Sequence, residues 1–247
     1  MSKPKQLLLD VRLDESASLE NFISCPSTEI VLKASKEFIS GSESNRTLYL
    51  WGKRGTGKQY LMHAVNRTFL DNNFHSAFLS FLSSSYKDVS ILEGLEKLDI
   101  IFIDAFENFP TVSEWEIALF NLLNACSITG SKVFISSQLT AKNLKIRLPD
   151  LKSRLIAFPA FELPEVSDEE KIKALRESAE RKGLRFDEKV LSFILNHTSR
   201  SLADLLKLLV DLDNFSLETK RKISVSLVKE LLSLIHISEP TRRYAIS

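Results

Sequence analysis

The residues Gly52-Lys-Arg-Gly-Thr-Gly-Lys58 have types and spacing that can do chemistry. They form a G-x-x-x-x-G-K loop, preceded by the apolar run Thr47 to Gly52 and followed by a helical stretch, Tyr60 to Leu70. Glycines let backbone N–H groups turn inward around phosphate oxygens, and a helix N-terminus adds favourable partial charge. Gly52, Gly55, Thr56, Gly57 and Lys58 therefore read as a nucleotide phosphate cradle, with Lys58 directed at the β- and γ-phosphates. A glycine-rich turn that binds nothing is the bland alternative, and the strand-before, helix-after context weighs against it. The next residue is Gln59 where a working loop carries Ser or Thr as a Mg²⁺ ligand. Mg²⁺ demands oxygen ligands in near-octahedral geometry at about 2.0–2.1 Å, which a long amide supplies poorly.

A second chemical feature is Leu98-Asp-Ile-Ile-Phe-Ile-Asp104, an apolar strand ending in an acid. At the end of such a strand Asp104 would hold Mg²⁺ directly or through water. Ala105 follows it, and Glu107 lies two residues further on, past Phe106, on a different expected face. Arg154, in Pro149-Asp-Leu-Lys-Ser-Arg154-Leu, could leave its own site and meet a neighbour's γ-phosphate. Read alone, it is a surface arginine. His63, His75 and His197 stand apart from one another, and no Ser/His/Asp or Cys/His arrangement can be argued. Trp51 and Trp115 are most simply core aromatics, although Trp51 borders the loop.

Elements that would position these groups can be read from the apolar pattern. A helix is expected over Ser27 to Ile39, with Ile30, Ala34 and Phe38 on one face and Gly41 after its end. Ser76 to Leu82, Leu98 to Asp104 and Lys132 to Ser137 read as buried strands of a parallel sheet. Ser113-Glu-Trp-Glu116 has the form of a capping box opening a helix from Glu114 to Cys126. After Pro164 only helices are expected. A second capping box, Ser167-Asp-Glu-Glu170, opens the first of them, and Gly183 stops it. Asp187 and Ser201 open two more, and a fourth covers Ser226 to Leu234. The expected division is a tail at 1–18, an α/β domain at 19–163, a helical lid at 164–234 and an extraneous or disordered end at 235–247.

Composition narrows the function classes. The chain is 26% charged and 44% hydrophobic, which is ordinary globular composition. A formal net charge of +1 lacks the basic excess of a dedicated DNA-binding module. The two cysteines, Cys25 and Cys126, form no Cys-x-x-Cys pair and suit a reducing compartment. No apolar run has signal-peptide or membrane-spanning form, so the expected location is the cytoplasm, with no membrane partner.

Taken in order, these motifs resemble the DnaA family of AAA+ proteins, and within it the Hda-type regulators of replication initiation. The resemblance covers residues 5 to 234 and rests on five stretches: the phosphate loop, Leu98 to Asp104, SEWEIALFNLL from Ser113 to Leu123, Leu148-Pro-Asp-Leu-Lys-Ser-Arg-Leu155, and Leu227 to Leu232. It implies an α/β fold, an AAA+ P-loop three-layer core with parallel sheet, followed by a small all-α lid. It also implies adenine nucleotide, with ADP favoured over ATP, tethering to the DNA polymerase III sliding clamp (beta subunit), and stimulation of ATP hydrolysis by DnaA. On that resemblance Gln6-Leu-Leu-Leu-Asp-Val11 is similar to a clamp-binding peptide. In an extended chain Leu7, Leu9 and Val11 point the same way, with Gln6 making polar contacts. Arg154 becomes the finger presented to DnaA-bound ATP.

Three departures bear on hydrolysis at the chain's own site. Active AAA+ ATPases place a second acid where Ala105 stands, a Mg²⁺-binding hydroxyl where Gln59 stands, and an arginine in the third lid helix at or near Ala203. Arg200 lies one turn earlier and reads equally as a lid contact or an exposed charge. The resulting expectation is a regulator with little or no intrinsic ATPase, acting as a negative regulator of initiation. The alternatives are an active AAA+ ATPase such as a helicase loader, and a DnaA-like initiator. The sequence shows no helix-turn-helix module after Leu234, so sequence-specific DNA binding is not expected. Homo-oligomerisation is left open.

Overall fold

Near-continuous apolar runs can be buried on both faces only where helices cover both sides of a parallel sheet. A computed structural model, which describes residues 17–20, 22, 25–41, 45–82, 88–181, 187–197 and 202–238, has that arrangement. The chain divides between Glu165 and Val166 into two compact units.

In the first unit, β1 (Thr47–Trp51), β2 (Ser76–Ser80), β3 (Ile100–Asp104), β4 (Lys132–Ser137) and β5 (Ala160–Glu162) form one parallel sheet in the order β2-β3-β4-β1-β5. Right-handed crossovers sort the helices by direction of travel. The β1-to-β2 connection carries α2 (Lys58–Asp71), which packs with α1 (Glu29–Ser40) on one face. Connections running the other way carry α3 (Ser113–Thr129) and α4 (Pro149–Ile156), which pack together on the opposite face.

Side chains alternate accordingly. Tyr49, Ile101, Ile103, Val133 and Ile135 join the α3 side in a cluster with Trp115, Leu119, Leu151 and Leu155. On the other face Phe78, Phe102 and Phe134 stand in register on adjacent strands, with ring centroids 5.7 and 5.8 Å apart. Phe38 of α1 meets Phe134 at 5.6 Å and continues this aromatic row onto the helical layer.

Several elements differ from the sequence expectation. In α1 the buried residues are Val31, Leu32, Ala34, Ser35 and Phe38, so Ala34 and Phe38 face inward as expected, while Ile30 is exposed and Val31 takes the inward position in the first turn. Strand β2 stops at Ser80, and β3 starts only at Ile100 because Asp99 is occupied in the turn, where its carboxylate accepts from His75 N at 2.7 Å. Strand β5 was not anticipated. It is three residues long with little buried, and its basis is backbone pairing with β1. Ala17 is fully buried and Ser18 N donates to Tyr60 Oη at 3.4 Å, so both residues of the expected tail pack on the core.

The second unit is helical: α5 (Asp168–Arg181), α6 (Glu188–His197), α7 (Leu202–Thr219) and α8 (Val225–Ser238). Ser167 and Glu170 form a reciprocal capping box at the start of α5, with Glu170 N donating to Ser167 Oγ at 3.2 Å and Ser167 N to Glu170 Oε2 at 3.1 Å. Its core gathers Leu175, Val190, Leu191, Ile194, Leu205, Leu208, Leu212 and Val228. Helix α8 runs four residues past the expected end at Leu234.

Tyr49 gives the sheet a pH signature. It is fully buried, and its hydroxyl donates to Leu139 O at 2.7 Å. Burial pushes its pKa up to about 12, with a hydrogen bond to Ser137 opposing and the Glu107 charge reinforcing. The unfolded phenol titrates near 10, so this contribution is intact below pH 10 and is lost as pH rises towards 12. By pH 11 the loss reaches about 1 kcal/mol. Denaturant titrations of wild type and Tyr49→Phe at pH 8 and pH 11 should show the variant's deficit shrinking at the higher pH. A pH-independent deficit would contradict the assignment.

Candidate functional site

Parallel pairing brings the C-terminal ends of β1, β3 and β4 to one edge of the sheet, where α2 begins. Gly52 N donates to Ser137 O at 3.2 Å and Leu163 N to Trp51 O at 2.7 Å, fixing the loop's first residue between β4 and the exit of β5. A Cβ on Gly52 would lie 2.3 Å from Leu163 O. Gly55 and Gly57 have φ of 84° and 100°, the left-handed region that lets the N–H groups turn inward, and Gly57 caps α2. Thr56 is buried, with Oγ1 donating to Lys53 O at 3.1 Å. Lys58 Nζ donates to Gly52 O at 2.7 Å and Lys53 O at 2.8 Å, carbonyls it can exchange for phosphate oxygens. Burial lowers the Lys58 pKa from its ordinary value, while the charges of Glu107 and Asp104 pull it back up. These residues fit a phosphate group.

The acidic side is differently disposed. Asp104 is buried, with Ser136 Oγ donating to Oδ1 and Ser80 Oγ to Oδ2 at 3.4 Å. Gln59 is exposed. This donor set does not suit a tightly held inner-sphere Mg²⁺, because the carboxylate is already occupied by hydroxyls, Thr56 Oγ1 is turned to Lys53 O, and position 59 carries an exposed amide in place of a short hydroxyl. Among the described residues no group of three or more His, Cys, Asp or Glu side chains is placed to hold a metal ion.

Ala105 has φ 56° and ψ 43°, a left-handed conformation that costs a non-glycine residue roughly 1–2 kcal/mol. The turn leads into Phe106–Asn108, and consecutive residues of β4 that point to opposite faces, Ser136 and Ser137, meet Asp104 and Glu107 respectively, in keeping with the different face expected for Glu107. Its carboxylate faces the end of β4: Oε2 accepts from Ser137 Oγ at 3.2 Å and Gln138 N at 2.9 Å, and Oε1 accepts from Gln138 Nε2 at 2.7 Å. A carboxylate thus stands near Lys58 despite the alanine at 105.

Arg154 lies on α4, half-buried, and Nη1 donates to Asn124 Oδ1 on α3. Helix α4 is itself anchored by Glu116, which the sequence reading assigned to a capping box on its own helix. Glu116 is instead buried beneath α4, where its carboxylate accepts from Arg147 N at 3.0 Å and Leu148 N at 2.7 Å. Helix α3 starts at Ser113 without a side-chain cap. Among the histidines, His63 is buried with its ring edge-on to Phe78, His75 lies 3.4 Å from Asp99, and His197 stacks on Phe193. Trp115 is buried in the core and Trp51 partly so.

Gln6, Leu7, Leu9, Val11 and Arg200 lie outside the described residues. Ala203 falls within α7.

Residues 13–158 match the family profile of the bacterial DnaA ATPase domain, and residues 168–232 match that of the Hda lid domain. The chain belongs to the DnaA family. This DnaA-family chain is 30% identical over 231 residues to an uncharacterised protein of Haemophilus influenzae, covering 93% of the chain and 99% of that relative. Among solved structures it is similar to domain III of the Thermotoga maritima replication initiation protein DnaA, with TM-score 0.68, 19% identity and coverage of 90% of this chain and 98% of that one. AMPPCP-bound DnaA from Aquifex aeolicus gives TM-score 0.65 at 20% identity, over 96% of this chain and 77% of that one. These likenesses establish the fold: an AAA+ core of DnaA type with an Hda-type helical lid.

Sequence reasoning missed Asn124, Gln138 and the serines at the strand ends. The hydroxyl pair closing Lys132 to Ser137 was the available signal for the last of these, whereas nothing in the spacing marks Asn124. Two substitutions test the scaffold. Gly52→Ala should lower unfolding free energy by about 1–3 kcal/mol, because the new methyl meets backbone. Glu116→Ala should cost about 3 kcal/mol by stranding two N–H groups, and Glu116→Gln visibly less. Urea denaturation reads both, and a neutral Glu116→Ala would show that α4 is anchored elsewhere.

Proposed function

We propose that this protein is a negative regulator of chromosomal replication initiation. In this reading it binds adenine nucleotide, ADP in preference to ATP, through Gly52 to Gln59. It tethers itself to the DNA polymerase III sliding clamp through Gln6, Leu7, Leu9 and Val11. It then promotes hydrolysis of DnaA-bound ATP in the cytoplasm. Arg154 is the residue that acts, in trans, on the partner's nucleotide.

The observation that carries this reading is an Hda-type lid on a DnaA-type core whose own site has Ala105 and an exposed Gln59. The phosphate cradle is intact, so nucleotide can be held. Lys58 and the α2 N-terminus bind and orient the phosphates. Asp104, bound by Ser136 and Ser80, is left for contact with Mg²⁺ through water. Arg200 is the proposed lid contact. Charge on the γ-phosphate of a partner's ATP grows towards the transition state, and an arginine placed there accelerates hydrolysis by about 10³–10⁵.

One observation favours a second reading, an ATPase working at its own site: Glu107 is bonded at the end of β4, beside the phosphate loop, where its charge partly opposes the burial that lowers the Lys58 pKa. Steady-state ATP turnover by the isolated protein that disappears in Glu107→Gln would select that reading.

The regulatory reading is tested with DnaA carrying labelled ATP and clamp loaded on DNA. Wild type should accelerate release of labelled phosphate, and Gln6→Ala with Leu9→Ala should abolish both clamp binding and acceleration. Unchanged clamp binding in that double variant would defeat the tethering claim.

A further inference from the structure

The functional reading needs Arg154 to arrive at another molecule's phosphate in one fixed geometry. An arginine has four rotatable side-chain bonds, and an unheld one loses much of its effect to conformational entropy. We infer that Asn124 is a positioning residue for Arg154: it fixes the guanidinium in place without neutralising it. This inference rests on the reading of Arg154 as a residue acting in trans.

Helix α3 holds α4 at two points. Glu116 fixes the backbone at Arg147 and Leu148, at the start of α4. Asn124 fixes the side chain of Arg154, near its end. The two α3 residues are about 12 Å apart along the helix, and Leu148 to Arg154 spans about 9 Å. The helices therefore run side by side in the same sense, and α3 acts as a ruler for the guanidinium. Asn124 sits on α3 between Ile117 and Ile128, which are 48% and 86% exposed, and Asn124 and Arg154 are themselves half-buried, so the held guanidinium lies where the α3–α4 packing meets solvent.

The acceptor's chemistry matters as much as its position. A carboxylate would hold the guanidinium as well or better, but its negative charge would offset the positive charge needed at the partner's phosphate. An amide oxygen has no net charge and engages one of the five guanidinium N–H donors, leaving four for phosphate oxygens. Among the described residues no carboxylate forms an ion pair with Arg154.

The test uses the full chain with labelled-ATP DnaA and clamp loaded on DNA. The rate of labelled phosphate release is measured against regulator concentration. Asn124→Ala should lower the saturating rate about tenfold with the half-saturating concentration within about twofold, because a misplaced donor affects the transition state rather than the encounter. Asn124→Asp should lower the saturating rate as well, although it keeps an acceptor in place and the melting temperature does not fall. That second variant separates charge from packing and remains informative if Asn124→Ala folds poorly. Arg154→Ala should be lower still, and Asn124→Ala combined with it should add no further loss.

A wild-type rate in Asn124→Ala beside an inactive Arg154→Ala would overturn the positioning role and leave the function of Arg154 standing. A change confined to half-saturation would overturn it too, by making Asn124 a contact residue. A wild-type rate in Arg154→Ala would overturn both readings.

Discussion

Parallel pairing of β3, β4 and β1 is the constraint on which the site depends. In a parallel sheet every strand delivers its C-terminal end to the same edge, so Trp51, Asp104 and Ser137 are neighbours although far apart in sequence. The pairing is enforced from both faces. Tyr49, Ile101, Ile103, Val133 and Ile135 lie against the α3 side, and Phe78, Phe102 and Phe134 form a register-matched row against the α1 side. A slip of one residue in any of these strands would exchange its two faces and dismantle the row. It would also displace Gly52 from Ser137 and the loop from the end of the sheet.

At that edge the structure divides cradle from chemistry. The cradle is complete: left-handed Gly55 and Gly57, a helix N-terminus and a lysine satisfied by exchangeable carbonyls. The acids are committed elsewhere. Ser136 and Ser80 bind Asp104, and Ser137 with Gln138 binds Glu107. Successive hydroxyls at the end of β4 thus face two carboxylates from β3 and the turn after it. A site of this kind suits holding a nucleotide, and Arg154, which we propose acts on another molecule's phosphate, lies on α4 and bonds to Asn124 of α3.

The loop, the central strands and the lid helices were legible because each is written locally. G-x-x-x-x-G-K encodes a backbone shape, Ile-Ile-Phe-Ile a doubly buried strand, and Ser167 with Glu170 a reciprocal cap. What stayed hidden depends on partners distant in sequence. Glu116 has the spacing of a capping box with Ser113, yet α4 offers it two stranded N–H groups in a buried position, and that demand wins. Glu107, expected on a different face from Asp104, is met by Ser137 where Asp104 is met by Ser136, but its further partner Gln138 left no local signal. Strand β5 leaves no side-chain pattern, since pairing with β1 and not burial defines it.

The central claim is that this DnaA-family chain keeps its phosphate loop in order to hold nucleotide. The most direct measurement is to purify the protein without added nucleotide, denature it, and identify and quantify what is released by ion-exchange chromatography. The account predicts retained adenine nucleotide, predominantly ADP, approaching one per chain. An empty site that also takes up no added ADP would contradict it.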